Sequence, residues 1–388
     1  MTEIAHGTVI VHSGEAVLPR WWRTVDRVTI GCVLGLFAIG LLLGFAASPP
    51  LAERNGHDPF HYVIRQAAFG GMALTVMVLV SMMSPQTVRR LGVLGFFAAV
   101  MAVALLPAFG TDFGQGAVRW YSLGFASLQP SEFLKPVYVI FTAWMVAASL
   151  EVGGPPGKMV SLIVTGFIVA FLALQPDFGQ AALVIFAWSV IYFVAGAPMF
   201  ILFTVFGVVG IGAVFAYGNS EHFARRIDGF LSSEVDPNTQ LAFATEAIRE
   251  GGLFGAGLGA GSVKNTLPDA HTDFIIAVAA EEYGLVLVFV IIALFATIAL
   301  RAFFRLMRER DPFIRLAGTG LVCLLCLQAV INMGVAVRLL PAKGMTLPFV
   351  SYGGSSLIAT GIAVGMLLTF TRHRPQGEIG DILLNRGR

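Results

Sequence analysis

The chain has 388 residues, 56% of them hydrophobic and 12% charged, with a formal net charge of +2. Its mean hydropathy is +0.80. Soluble domains carry roughly 25% charged residues, so this balance excludes an ordinary soluble enzyme and indicates a polytopic membrane protein. Nothing suggests nucleic acid as a partner, because no aromatic-interleaved basic patch is present.

Residues 1–25 are largely polar and read as a cytoplasmic tail, too long to be the prelude of a cleavable leader. Apolar windows long enough to cross a bilayer as helix then recur near 26–47, 62–83, 92–109, 131–150 and 159–174. They continue near 180–197, 199–217, 273–300, 314–336 and 350–371. The predicted fold is an all-α integral membrane protein of about ten transmembrane helices, since barrel strands would alternate in polarity instead. A single membrane domain is predicted over 26–371, followed by a tail over 372–388.

Lys and Arg set the orientation. Arg20, Arg23, Arg27, Arg89, Arg90, Lys158, Arg301, Arg305, Arg308, Arg310, Arg315 and Arg372 all fall on one side if the N-terminus is cytoplasmic. Both termini are then cytoplasmic, and the large loop over 218–272, between helices 7 and 8, faces outward. Two stretches of that loop, EHFARRIDGFLSS and QLAFATEAIREGG, have helical period. They read as short helices in the headgroup layer or folded over the outer helix ends. Cys32, Cys323 and Cys326 lie in apolar runs, and the CLLC pair has no neighbouring ligands to suggest metal or redox chemistry.

Four polar clusters stand at the outer side. In GAVRWYSLGFASLQPSEFLKP, Ser131 reads as a helix N-cap, with Glu132 in the first turn and Lys135 three residues on. This is either a cap with a structural ion pair or, with Arg119, a set of cations suited to a diphosphate. In LQPDFGQ, Pro176 and Gly179 interrupt the apolar run around Asp177, and a break at that depth is buried in protein or lines a wet cavity. The third cluster, GGLFGAGLGAGSVKNTLPDAHTDF, has no Walker-loop spacing and reads as a lid or a close backbone approach to substrate. His271 and Asp273 end it, and Glu281 and Glu282 lie two turns deeper.

Thr272 or Asp273 could be a simple cap, and one glutamate could partner an inward-facing cation. Three carboxylates nevertheless exceed what capping needs and mark an active-site or ion-pathway candidate. The fourth cluster, NMGVAVRLLPAKGMTLPFVSYGGSS, reads as a broken outer loop carrying Lys343. Its SYGGSS, with Ser355, is either an anion cradle or a place of close helix packing. From the residues alone the chain is an enzyme or transporter for an anionic lipid.

These four clusters resemble the SEDS family (shape, elongation, division and sporulation) of bacterial envelope proteins, and PDAHTDF with LLPAKGMTLP is closer to its cell-division branch than to its elongation branch. Arg338 stands where that family commonly has a small residue such as Gly. The resemblance implies a peptidoglycan glycosyltransferase of the bacterial inner membrane at the division septum. It would polymerise lipid II into β-1,4 glycan strands by inverting displacement of undecaprenyl diphosphate. Asp273 is implied as general base, with Arg119, Lys135, Lys343, Glu132, His271, Ser355 and Asp177 as substrate-binding candidates. A Mg2+ or Mn2+ ion is compatible with the leaving group; no resident cofactor is otherwise implied. A class B penicillin-binding protein transpeptidase, other divisome membrane proteins and membrane lipid are the implied partners. A lipid II flippase is the alternative, but it would need polar residues through the full membrane depth, and here they crowd the outer half.

Overall fold

In a computed structural model the described residues are 17–111, 118–124, 126–231, 239–257, 259–267, 269–341 and 344–373. The chain begins with α1 (Val17–Thr24), α2 (Arg27–Ala47), α3 (Pro49–Arg54), α4 (His61–Ser81) and α5 (Pro85–Phe109). A two-stranded hairpin, β1 (Tyr121–Ser122) and β2 (Ser127–Leu128), leads into α6 (Pro130–Ala148) and α7 (Gly157–Leu174). Then come α8 (Phe178–Val194), α9 (Met199–Asn219), α10 (Glu221–Leu231) and α11 (Gln240–Gly251). The chain closes with α12 (Ile275–Leu306), α13 (Pro312–Ala336) and α14 (Gly354–Phe370).

Each of the ten apolar windows is a helix. Seven of them are long and apolar enough to cross a membrane: α2, α4, α5, α7, α9, α12 and α13. α8 and α14 are shorter apolar helices, and α6 carries Glu132 and Lys135 in its buried first turns. The protein is therefore a multi-pass membrane protein. α5 begins earlier than the apolar window because Ser84 caps it through the Thr87 N–H and Pro85 takes a first-turn position, so the helix includes Arg89 and Arg90. α12 likewise runs on past its apolar run to include Arg301 and Arg305.

The body is held by close helix pairs. α4 and α14 touch along small residues: a Cβ at Gly361 would lie 2.4 Å from the Ala73 carbonyl oxygen, and van der Waals contact at that range is the main attraction available between helices in lipid. α9 is the opposite case. Only Leu202 of its 21 residues is buried, so nearly its whole apolar surface is left for lipid.

The end where the basic residues cluster is closed by polar contacts. Asp26, 2% exposed, takes both oxygens to Arg301 at 3.0 and 3.1 Å and lies 3.5 Å from Arg305. Arg305 also donates to the Thr371 carbonyl, and Arg372 donates to Thr24. α1 is a helix within the segment read as a tail: its Trp21 is buried and donates to Ser81.

α12 breaks near its outer end. Gly284 sits at φ 75°, which a side-chain-bearing residue rarely adopts. The break frees backbone groups at membrane depth, where each must find a partner. The segment after α11 supplies them. Ala256 and Gly257 donate to the Glu281 and Glu282 carbonyls, while Leu285 and Val286 donate to those of Gly252 and Leu253.

The side chains of the same two glutamates close the strap. Glu281 accepts from the Val263 and Lys264 N–H groups at 2.7 and 3.0 Å. Glu282 accepts from the Gly259 N–H and pairs with the Lys264 ammonium. The glycine-rich segment is thus clamped to α12, and Lys264 is the inward-facing cation that a buried glutamate called for.

Candidate active site

A cavity of about 480 Å³ opens at the end of the body opposite the basic cluster, within the range of small-molecule and cofactor sites. By the positive-inside rule this end faces outward. Its walls come from the outer ends of several helices and from the hairpin. Charged groups on them are Arg65, Arg119, Glu132, Asp177, Asp269 and Asp273.

Arg119 lies two residues before β1 and is aimed by the break between α7 and α8. Its Nε donates to the Gln175 carbonyl at 2.9 Å and an Nη to that of Pro176 at 2.7 Å. Asp177 follows in the same break and is buried. Burial pushes its carboxyl above the usual range; Arg119 opposes that shift, and Glu132 adds to it. The break therefore lines a polar cavity.

Ser131 does not cap α6. Gln129 occupies the cap position without a side-chain bond, and the Ser131 hydroxyl donates to Asp177 at 3.4 Å instead. Pro130 starts the helix two residues earlier than a Ser131 cap would, which carries Ser131 into the first turn.

Glu132 lines the cavity, whereas Lys135 lies behind the wall, 4% exposed. Lys135 pairs with Glu132 at 2.9 Å and donates to Gln328 on α13 at 2.9 Å. Gln180 donates to the other Glu132 oxygen at 2.6 Å. The structural-pair reading of this motif fits Lys135; Glu132 has one face on the cavity.

Asp273 precedes α12 and is half-buried on the cavity wall. Neither it nor Thr272 occupies the cap position, which Phe274 takes without a side-chain bond. The Thr272 hydroxyl donates to the Asp269 carbonyl. Asp269, at φ 54°, accepts the Thr272, Asp273 and Phe274 N–H groups on that carbonyl, so the turn is tied before the helix starts. A Cβ at Gly344 would lie 3.5 Å from a carboxylate oxygen of Asp273, so residue 344 packs directly over the acid.

His271 is turned away from the cavity into a ring cluster, with its centroid 5.3 Å from Tyr62 and 5.4 Å from Tyr352. Burial pulls its pKa down to about 4, so near neutral pH the ring carries no charge to offer an anion. Ser355 does line the cavity, but its hydroxyl is engaged, donating to the Ser127 carbonyl at 2.9 Å and accepting the Gln129 N–H at 3.1 Å. It holds β2 against the start of α14. Lys343 lies outside the described residues.

The segment 344–353 is a buried outer loop. The Ser351 hydroxyl donates to the Thr272 carbonyl and accepts the Leu347 N–H, while Gln66 on α4 donates to the Val350 carbonyl at 3.0 Å. Arg338 lies just before it at φ 58°, the backbone region where glycine is favoured. This explains why a small residue is the expected one there.

Sequence reasoning missed Arg65, which stands on the cavity wall facing the Tyr352 hydroxyl. The signal was available: HYVIRQAAFG places a cation one turn inside an apolar span, where a charge is kept for use. Asp269, Gln240, Asn332 and Thr346 also line the cavity. Each is ordinary in sequence and meets the others only in the fold.

Residues 26–376 match the family described as "Cell cycle protein" (FtsW, RodA and SpoVE). A protein of Caulobacter vibrioides named probable peptidoglycan glycosyltransferase FtsW is 40% identical over 372 residues, covering 94% of this chain and 95% of that one. One of the same name from Alkalilimnicola ehrlichii is 38% identical, covering 92% and 95%. A solved structure described as "Structural coordination of polymerization and crosslinking by a peptidoglycan synthase complex" superposes with TM-score 0.74 at 28% identity. It covers 89% of this chain and 97% of its own. Rod shape determining protein RodA of Thermus thermophilus gives TM-score 0.65 at 27% identity, covering 90% and 97%. The chain belongs to the FtsW/RodA/SpoVE family, the SEDS family that its four outer motifs resemble.

Proposed function

We propose that this chain is the peptidoglycan glycosyltransferase of septal wall synthesis, polymerising lipid II at the outer face of the cytoplasmic membrane. The observation that carries the reading is the Asp273 carboxylate on the wall of an outward cavity that also holds Arg65 and Arg119. The names of the relatives supply the reaction class.

Asp273 takes the proton of the acceptor sugar's 4-hydroxyl as that oxygen attacks the donor's anomeric carbon. Negative charge develops on the departing diphosphate, and fixed cations stabilise it more than water would. Arg119 suits this role because two backbone carbonyls fix its guanidinium before substrate arrives. Arg65 is the second candidate, and Lys343 keeps the place the family resemblance gives it. Lys135 supports Glu132 and the α6–α13 contact. A single in-line displacement inverts the anomeric centre, turning an α-linked donor into a β-1,4 link.

Among the described residues no three acids, histidines or cysteines converge as a cation site, so no step is routed through Mg2+ or Mn2+. The partner is a class B penicillin-binding protein at the division septum, together with other divisome proteins. The glycosyltransferase reading is favoured over transport by the closed basic end, where Asp26 is held by Arg301 and Arg305. The test is polymerisation of purified lipid II by the protein with its transpeptidase, run beside transbilayer movement of fluorescent lipid II in proteoliposomes. Glycan strands without transbilayer movement support the reading; movement without strands overturns it.

A further inference from the structure

Two amide side chains stand one turn apart on α13 and hold the same segment. Gln328 donates from Nε2 to the Thr346 carbonyl at 3.1 Å. Asn332 donates from Nδ2 to the Met345 carbonyl and, at 3.0 Å, to that of Asp273. Both acceptors of Asn332 are carbonyls, so its amide has one sensible orientation: the NH2 group must face them.

The two amides differ at their oxygens. Gln328 Oε1 accepts from the Lys135 ammonium at 2.9 Å. Asn332 Oδ1 has no partner among the described residues, although the side chain is 2% exposed. Buried amide oxygens are normally hydrogen-bonded, and one without a partner calls for an explanation. Asn332 is part of the cavity wall beside Asp273; its Oδ1 is covered in this structure, so a ligand supplies the missing donor only where the wall gives way locally to admit it.

Its donor side also fixes the acid. The regular bonds of α12 start with the Phe274 carbonyl accepting from Val278 and Ala277, so the Asp273 carbonyl lies outside that ladder and Asn332 satisfies it.

We propose that Asn332 is a substrate-binding residue: its Oδ1 accepts a hydrogen bond from a hydroxyl or acetamido N–H of the sugar brought to Asp273, while its Nδ2 holds the Asp273 main chain. The inference rests on the lipid II reading above. It is more specific than that reading, because the unpartnered atom is an acceptor and selects an N–H or O–H donor, not the diphosphate.

The experiment measures lipid II binding at equilibrium in the Asp273→Asn background, in nanodiscs, where turnover does not interfere. Asn332→Leu is added to one sample and Gln328→Leu to another, with folding followed by gel filtration and thermal melting. Gln328→Leu frees the Thr346 carbonyl of the same segment and leaves Lys135 with Glu132 alone, but it removes no unpartnered acceptor, so it controls for structure. Expected are a loss of about tenfold in lipid II affinity for Asn332→Leu, as for one neutral hydrogen bond, and a change of less than about twofold for Gln328→Leu.

With Asp273 intact, Asn332→Leu should raise KM for lipid II by a similar factor. Equal affinity in all three proteins, or equal losses in both added variants, overturns the inference. If Asn332→Leu does not fold, Asn332→Ser takes its place in the same comparison. Should the parent fail to bind lipid II, and the wild type with its transpeptidase fail to polymerise it, the lipid II reading itself fails. A parent that binds and an Asn332 variant that binds as well sinks only this inference.

Discussion

Removing the ammonium of Lys264 should loosen the strap that leads into Asp273. Lys264 is 7% exposed and Glu282 is 1% exposed, and the two form an ion pair beneath the glycine-rich segment. In Lys264→Met the Glu282 carboxylate keeps only the Gly259 N–H. Breaking a buried pair from one side costs about 3–5 kcal/mol, because the other charge stays desolvated. Adding Glu282→Gln removes that charge, and the amide oxygen can still accept from Gly259. One unsatisfied amide donor then remains, at about 1–3 kcal/mol. The double variant should therefore be more stable than Lys264→Met by about 2 kcal/mol. Unfolding in mixed detergent–SDS micelles measures this, and limited proteolysis of 252–264 reports the strap directly. Turnover should fall in the single variant and partly recover in the double. A Lys264→Met variant less than about 1 kcal/mol from wild type, or a double variant that recovers nothing, would refute the buried-pair account.

Four further outcomes follow from the same structure. Lys135→Met should destabilise the protein by about 3–5 kcal/mol, since it strands Glu132; a folded fraction should retain the wild-type KM for lipid II, as titration of initial rates would show. Arg119→Lys loses the fork to the Gln175 and Pro176 carbonyls and should lower kcat by about tenfold or more, with little change in melting temperature. His271 has its folded pKa depressed from 6.5 to about 4, so its stabilising contribution is fully present above pH 6.5 and is lost as pH falls toward 4. That amounts to about 3 kcal/mol, and His271→Phe should flatten the slope in melts taken between pH 4 and 7. Gly284→Ala would place a Cβ 2.2 Å from the Leu253 carbonyl oxygen at φ 75°, so expression of monodisperse protein should collapse.

The transmembrane helices were legible because each needs only a long apolar run, and lipid imposes helix on such a run. Their ends were less so. Ser84 and Pro85 start α5 in polar sequence, and α12 outlasts its apolar stretch. α1 was passed over within a polar tail although Val17, Leu18, Trp21 and Trp22 recur at helical spacing; it is two turns long and Trp21 ties it to Ser81.

At the site, the acids and Arg119 announced themselves as charges beside hydrocarbon. Arg65 did so equally and was passed over. Lys135 and His271 show the converse: both have the right chemistry near the right place, but packing turns one onto Gln328 and the other among tyrosines. Side-chain direction is set by tertiary neighbours and is not written in spacing. The same holds for Asn332, an ordinary amide until the fold brings it to Asp273.

The most direct test of the account is the rate of glycan-strand formation from lipid II by wild type and Asp273→Asn, each with the transpeptidase, alongside equilibrium lipid II binding to both. The account predicts strands from the wild type, none from the variant, and binding within a fewfold in the two. Strands formed at equal rates would contradict it, since a general base cannot be removed without consequence.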